Sequence, residues 1–183
     1  NLKENLGEVH GNIAGQIIAQ ASALINKKTE HLNNQYCLTE LKNAKGILIY
    51  DIESDPDAKH DFLHGFLKIS RLKNGKWDFK NAKYHPVLIL NSTNELLIWK
   101  RLKRKLMLYK DWPILHYGET ESLSLYRLAK RQNASETELK EIKSRCIDVH
   151  NRIKVYWRLP INNYGLKSVA NFIGFKWSEK GVD

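Results

Sequence analysis

The chain has no long hydrophobic run and very little cysteine. None of its apolar stretches approaches the roughly 20 consecutive residues that a membrane-spanning helix needs, because polar side chains interrupt even the longest one, at 13–25. Its two cysteines, Cys37 and Cys146, lack the spacing of metal ligands, a pattern typical of reduced thiols. We therefore expect a cytoplasmic protein without a membrane partner.

The composition does not have the low apolar content that is typical of a disordered chain. Hydrophobic residues make up 42% of the 183 positions, which is enough to form a core. The 30 lysines and arginines outnumber the 20 acids and give a net charge of +10. Such an excess attracts polyanions such as nucleic acid or an anionic membrane surface, and of these we expect nucleic acid as the partner. A solvated basic surface that aids solubility is the alternative.

An apolar run at residues 46–53 ends in two acids, Asp51 and Glu53. Because side chains alternate faces along a strand, the two carboxylates should point the same way. Neighbouring carboxylates repel each other unless a cation or a proton lies between them, and Mg²⁺ and Mn²⁺ prefer such hard oxygen ligands. The pattern predicts part of a metal site. A strand whose acidic end simply faces water is the alternative.

Apolar and turn signals predict three meandering strands in the first half of the chain. The first covers 46–53 and ends in a turn at 54–57. The second covers 62–70 and is followed by an Asn-Gly hairpin signal. The third begins at 76–79 and extends over 84–90, where Pro86 indicates an edge or a bulge.

The second half of the chain alternates between helical and strand-like patterns. In order, the predicted segments are a helix after the capping-box pattern Ser92-Thr93-Asn94-Glu95, a strand at 112–116, a helix at 119–131, a helix after the capping box Ser135–Glu138, a short strand or helix end at 146–149, and a helix at 164–175. Together they predict an α/β fold with a mixed sheet flanked by helices. Residues 1–45 are predicted to be an N-terminal helix, at 7–26, and a connection from an upstream region. The main domain then covers 46–183.

This order of elements resembles the ribonuclease-H-like fold, in which three antiparallel strands are followed by parallel strands. More narrowly, Asp51 and Glu53 on the first strand and His116 through Glu121 after a later strand resemble the first two motifs of the DEDD 3′–5′ exonucleases. The likeness is greatest to the exonuclease-like domain of predicted RecB-like nucleases. It is carried by the runs YDIESDP at 50–56, LHYG at 115–118, LP at 159–160, YGLKSV at 164–169 and GFKW at 174–177.

The resemblance implies hydrolysis of phosphodiester bonds in DNA or RNA by a two-metal mechanism with Mg²⁺ or Mn²⁺. Asp51 would bridge the two ions, Glu53 would hold the ion that activates water, and Glu121 would reach the second ion. His116 would act beside the site or be a structural histidine. Asp148 would support the ligands or cap a helix.

Two departures from the family pattern leave a second function open. Glu121 stands where the family usually has Asp, and the third motif, a Tyr or His followed by an Asp, is not found up to Asp183. We expect that motif beyond Asp183, in a longer chain with further domains. The alternative is a non-catalytic nucleic-acid-binding module of the same fold that serves a neighbouring nuclease domain.

A basic cluster on the predicted helix after Glu95 is the candidate surface for a phosphate backbone. A solvated helix face is the alternative for these charges. Tyr117 is expected to stack on a base or to pack in the fold, and Arg127 adds a cation on the next helix. The cluster consists of Lys100, Arg101, Lys103, Arg104 and Lys105.

Overall fold

The computed structural model describes residues 13–33, 35–55, 60–88 and 94–176. The chain forms two compact units, one at 38–149 and one that combines the residues through Cys37 with those from His150 onward. The sequence-based boundary at residue 46 stays a prediction. Among the described helices, none has both the length and the apolar character needed to cross a bilayer.

The helices and strands are numbered here in chain order. They are α1 (Ala14–Asn26), β1 (Glu30–His31), β2 (Gly46–Asp55), β3 (His60–Ser70), β4 (Lys83–Leu88), α2 (Glu95–Leu108), β5 (Ile114–His116), α3 (Thr120–Arg131), α4 (Glu136–Arg145), β6 (Cys146–Asp148), α5 (Val149–Tyr156), β7 (Trp157–Arg158) and α6 (Leu166–Phe172).

The unit at 38–149 is built on a five-stranded mixed sheet in the order β4-β3-β2-β5-β6. Strands β2, β3 and β4 pair in antiparallel fashion, whereas β5 and β6 continue the sheet parallel to β2. The α/β class and the mixed sheet flanked by helices are therefore confirmed, and they are consistent with the ribonuclease-H-like arrangement. Pro86 lies in β4, the edge strand, where its missing N–H removes no central ladder bond.

The sheet is covered because its central strand is apolar on both faces. Leu48 and Tyr50 of β2 belong to a large core cluster with residues of α2, α3 and α4, while Ile47 belongs to a separate cluster with residues of the other face. Helix α2 buries Ile98, Trp99, Leu102 and Leu106. Leu96 is exposed, since the buried stripe runs along a neighbouring side of the helix.

Helix starts follow the local capping chemistry. The capping box of α4 is confirmed, since Ser135 accepts from the main-chain N–H of Glu138, whose carboxylate accepts from Ser135 in return. Helix α2 is capped by Asn94, whose side chain accepts from the N–H of Leu97. Ser92, the first residue of the capping pattern expected there, lies outside the described residues.

The structure differs from the predicted elements in several places. The return strand predicted at 76–79 is reduced to an isolated bridge between Arg71 and Trp77, and β4 begins only at Lys83. The turn predicted at 54–57 is wrong for Ser54 and Asp55, because β2 continues through Asp55, and Pro56 and Asp57 lie outside the described residues. The segment at 146–149 is strand β6, followed at once by α5, a helix that no sequence signal indicated.

The second unit contains α1 and a two-stranded antiparallel ribbon of β1 and β7. The ribbon pairs Glu30 with Arg158, so the segment predicted as a plain connection contributes a strand. Arg158 is buried and donates to the side-chain oxygen of Gln16 at 3.0 Å, which links the ribbon to α1.

Candidate active site

Asp51 and Glu53 lie in the second half of β2, opposite Gly65 and Leu63 of β3. Both side chains are exposed, and within the described residues neither has an ion-pair or hydrogen-bond partner. They occupy alternate positions before a β-bulge that follows Glu53, so the pleat places them on one face of the sheet. Two unneutralised carboxylates are thus available at this end of the strand.

His116 ends β5 and is buried. Its Nδ1 lies 2.6 Å from the carbonyl oxygen of Gly118, and a carbonyl can only accept, so Nδ1 carries the proton. In the neutral ring, Nε2 then keeps its lone pair. Gly118 adopts a φ of 107°, a conformation that favours glycine and turns this carbonyl back toward the histidine.

Asp148 binds the main-chain N–H of the same residue, Gly118. It ends β6 directly opposite His116 in the parallel ladder, and its Oδ1 accepts from the N–H of Gly118 at 3.0 Å. The loop that leads from β5 into α3 is therefore held by Asp148 through its N–H and by His116 through its carbonyl. The predicted role of Asp148 in supporting the metal ligands or capping a helix stays a prediction.

Glu121 lies in the first turn of α3 and is largely buried, with 14% of its side chain exposed. Its Oε2 has no hydrogen-bond partner in the described part of the chain, and the nearest ring nitrogen, Nδ1 of His116, is 4.0 Å away. Burial raises the pKa of this carboxyl, and the negative charges of Asp51 and Asp148 raise it further, against the opposing effects of its own N–H and of His116. The negative charge of Asp51 therefore acts on the ionisation of Glu121.

These carboxylates have the chemistry of a Mg²⁺ or Mn²⁺ site. A buried oxygen without a donor is a natural ligand for a cation, and Mg²⁺ takes only one or two protein carboxylates while it keeps several waters. Across residues 13–33, 35–55, 60–88 and 94–176, no group of three or more His, Cys, Asp or Glu side chains is arranged to hold a metal ion. The protein ligands alone thus do not form a closed cage.

A pocket of about 430 Å³ adjoins His116 and Asp148. Its remaining walls are a mixture of apolar, hydroxyl and thiol groups with one cation, contributed by Ser122, Leu123, Tyr126, Ile142, Lys143 and Cys146. The volume lies in the range of small-molecule sites. Space for part of a substrate is therefore available beside His116 and Asp148.

A hydrogen-bonded pair in the core lies directly behind Asp51. The hydroxyl of Tyr50 and Nδ1 of His64 are 2.7 Å apart, and both side chains are almost fully buried. Burial raises the pKa of Tyr50 well above its ordinary value and lowers the pKa of His64. Both groups are therefore held neutral. Because side chains alternate along the strand, this pair lies on the face opposite Asp51.

Asp61 is a residue of this region that the sequence did not indicate. Its carboxylate accepts from Ser54 on β2 at 2.5 Å and from Ser124 on α3. Because Ser124 lies one turn after Glu121, the contact connects the start of β3 to the helix that carries Glu121. A lone acid at the start of a strand has no sequence signal that would have singled it out.

The predicted nucleic-acid-binding residues separate into two groups. Lys100, Arg101, Arg104 and Arg127 are exposed on α2 and α3. Lys103 instead forms an ion pair with Glu138 of α4, Lys105 contacts His85, and Tyr117 is half-buried. Burial, followed by the charge of Asp148, raises the pKa of Tyr117. The role of these residues in binding stays a prediction.

Comparison with protein families matches residues 48–183 to the RNase H superfamily. Comparison with curated proteins and with solved structures gives no match. The matched segment begins in the central strand of the sheet and takes in the candidate site, and it covers well over half of the chain. The chain belongs to the RNase H superfamily.

Proposed function

We propose that this protein is a metal-dependent nuclease domain that hydrolyses phosphodiester bonds, a 3′–5′ exonuclease on DNA or RNA. Domains with this fold generally act on nucleic acids, and the net charge of +10 suits such a substrate. The observation that carries the proposal is Oε2 of Glu121, which is buried and has no hydrogen-bond partner among the described residues. The negative charge of Asp51 contributes to the raised pKa of this carboxyl.

In this proposal Asp51, Glu53 and Glu121 hold Mg²⁺ or Mn²⁺, with water completing the coordination. When bound, the ions supply positive charge that stabilises the attacking water and the leaving oxygen. The raised pKa of Glu121 means that its carboxyl retains a proton more readily without a cation, so binding would displace that proton.

His116 acts through its Nε2 in the same proposal. With Nδ1–H held by the Gly118 carbonyl, its Nε2 is an acceptor that can orient a water or receive a proton. The adjoining pocket of about 430 Å³ offers space for part of a nucleotide beside His116. Cys37 and Cys146 form no disulfide, which is consistent with a cytoplasmic protein.

The test is hydrolysis of end-labelled single strands with Mn²⁺ by the wild type and by Asp51→Asn. We expect the substitution to lower the rate by at least about 100-fold, because it removes a charge that stabilises the transition state. Asp78→Asn is the matched control, since Asp78 lies in the turn region after β3, and it should retain full activity. Equal rates for wild type and Asp51→Asn would remove the metal-site assignment.

A second candidate function is a non-catalytic nucleic-acid-binding module. It is favoured by the lack of a three-ligand group among the described residues. In that case single strands bind equally well with EDTA and with Mn²⁺, and Mn²⁺ does not raise the melting temperature. A rise in melting temperature with Mn²⁺ that Asp51→Asn abolishes would favour the nuclease instead.

A further inference from the structure

Three lysines from three elements surround His85 on the helix-covered face of the sheet. Lys68 of β3 lies directly opposite Lys83 of β4 in the antiparallel ladder, and Phe66 lies opposite His85 two positions further along. Because side chains alternate, Lys68, Lys83 and His85 share a face. Lys105 of α2 reaches the same place, with its Nζ 3.2 Å from Nδ1 of His85.

The hydrogen bonding of His85 is incomplete. An ammonium group can only donate, so Nδ1 accepts from Lys105 and the ring proton lies on Nε2. That Nε2 is buried and has no partner in the part of the chain that the structure describes. A buried donor without an acceptor is costly, and an external acceptor at Nε2 would relieve that cost.

No acid compensates the three lysines. Within the described residues, no carboxylate lies within ion-pair distance of Lys68, Lys83 or Lys105. Like charges directly opposite each other in a sheet destabilise it. The pKa of His85 is lowered first by burial and then by Lys105, Lys68 and Lys83, so all three charges converge on one ring.

Protection of the sheet edge does not account for the cluster. Lysines on an edge strand discourage addition of a further strand, and Lys83 could serve that purpose. Lys68, however, is on an interior strand and half-buried, and Lys105 comes from a helix. By contrast, the nearby Lys103 has an acidic partner, Glu138. Cations held together without an acid indicate a place for an external anion.

We propose that Lys68, Lys83, Lys105 and His85 form a binding site for a phosphate group of a nucleic-acid backbone. An anion there offsets the repulsion among the lysines and favours protonation of His85, which becomes a fourth cation. The inference rests on the nucleic-acid-binding part of the proposed function and is independent of metal-dependent hydrolysis.

The binding test compares two double variants that each remove two positive charges. Lys68→Gln with Lys83→Gln alters the cluster, whereas Lys73→Gln with Lys76→Gln alters exposed lysines in the turn after β3. Affinity for a labelled single strand is measured in EDTA over a range of salt concentrations, so loss of nuclease activity cannot affect the result. We expect the cluster variant to bind about tenfold more weakly, with a slope of log affinity against log salt reduced by about 1.

The control variant should change the affinity less than twofold. Equal weakening by both double variants would overturn the proposal, because it would show only a general effect of charge. Unchanged binding by the cluster variant would also overturn it.

A second measurement separates backbone phosphate from free phosphate. In the wild type, titration with the single strand should raise the pKa of His85, followed by ¹⁵N resonances of the histidine ring, and the cluster variant should lose this shift. Inorganic phosphate at millimolar concentration should act more weakly in the same direction. A shift with inorganic phosphate but none with the strand would assign the site to a free anion and overturn the proposed backbone contact.

Discussion

At the scale of single residues, the candidate site depends on where charge is left without a partner. Asp51 and Glu53 are exposed, so water solvates their charge. Glu121 is different, because its Oε2 is buried and unpartnered in the described structure. Desolvation penalises its ionised form, and a cation would offset that penalty. Glu121 is therefore the residue whose substitution is most informative.

We expect Glu121→Gln to stabilise the metal-free protein at pH 7 by about 1 kcal/mol, because it removes a buried charge without a donor. Burial raises the pKa of Glu121 above its ordinary value of 4.5, so the folded state holds the proton more tightly than the unfolded state. The free energy of unfolding of the wild type therefore declines as the pH rises from about 4.5 through the raised pKa. Thermal melting between pH 4 and pH 7 measures this decline.

The matched control for that experiment is Glu119→Gln, an exposed acid just before α3. It should retain the pH dependence of the wild type, and Mn²⁺ should still raise its melting temperature. Glu121→Gln should show neither behaviour. A decline in stability above pH 4.5 that persists in Glu121→Gln would contradict the assignment of the effect to this carboxyl.

His64 predicts a second pH dependence in the opposite direction. Burial lowers its pKa below the ordinary value of 6.5, so the unfolded chain takes up the proton first as the pH falls. The contribution of His64 to stability is therefore complete above about pH 6.5 and is lost as the pH falls through the lowered folded pKa. We expect His64→Asn to cost about 1–3 kcal/mol at pH 7, since Tyr50 loses its partner.

The readout is the slope of stability between pH 5 and pH 6.5, from urea unfolding. His64→Asn should flatten this slope, whereas substitution of the exposed His31 by Asn should leave it as in the wild type. If the slope of His64→Asn equals that of the wild type, another group is responsible.

At the scale of elements, Arg145 determines how helix α2 ends. Its guanidinium donates to the carbonyl oxygens of Leu106 at 3.1 Å, Tyr109 at 2.7 Å and Trp112 at 3.0 Å. The last carbonyls of a helix have no partner within the helix, and positive charge is favourable there. The buried side chain of Arg145, the last residue of α4, thus connects α4 to the end of α2 and to the segment that leads into β5.

We expect Arg145→Met to lower the free energy of unfolding by about 3 kcal/mol, because three carbonyls, one of them in a buried hydrogen bond and two in half-buried ones, lose a charged donor. Arg145→Lys should retain only part of the stability, since an ammonium cannot present the planar fork. Urea unfolding measures both variants, with Lys143→Met on the exposed side of α4 as the control. A loss for Arg145→Met no greater than that for Lys143→Met would show that the capping contacts contribute little.

Also at this scale, local signals predicted elements well and connections poorly. The apolar run of β2 and the capping box at Ser135 depend on neighbouring residues, so both were predictable. The return strand at 76–79 did not form as expected, because its place in the ladder beside β3 is taken by β4 from Lys83. Pairing over such distances depends on register, which sequence periodicity alone does not determine.

At the scale of the whole molecule, the positive charges differ in whether an acidic side chain neutralises them. Lys103 of α2 is neutralised by Glu138, whereas Lys105 joins lysines of β3 and β4 that have no acidic partner in the described chain. The basic run on α2 is therefore not one uniform surface. A net charge of +10 predicts attraction to nucleic acid, but only the folded arrangement separates paired from unpaired cations.

By itself, the order of apolar, turn and acidic residues determined the α/β class, the mixed sheet and the presence of an acid pair on its central strand, because these depend on local periodicity. Only the tertiary structure decided that Glu121 is buried beside His116 and that Lys68, Lys83 and Lys105 converge on His85. Burial and cross-strand contacts arise when distant segments pack together. Neighbours along the chain do not determine which charges these contacts leave without an oppositely charged partner. The candidate metal site and the candidate phosphate site depend on those charges, so only the tertiary structure could reveal them.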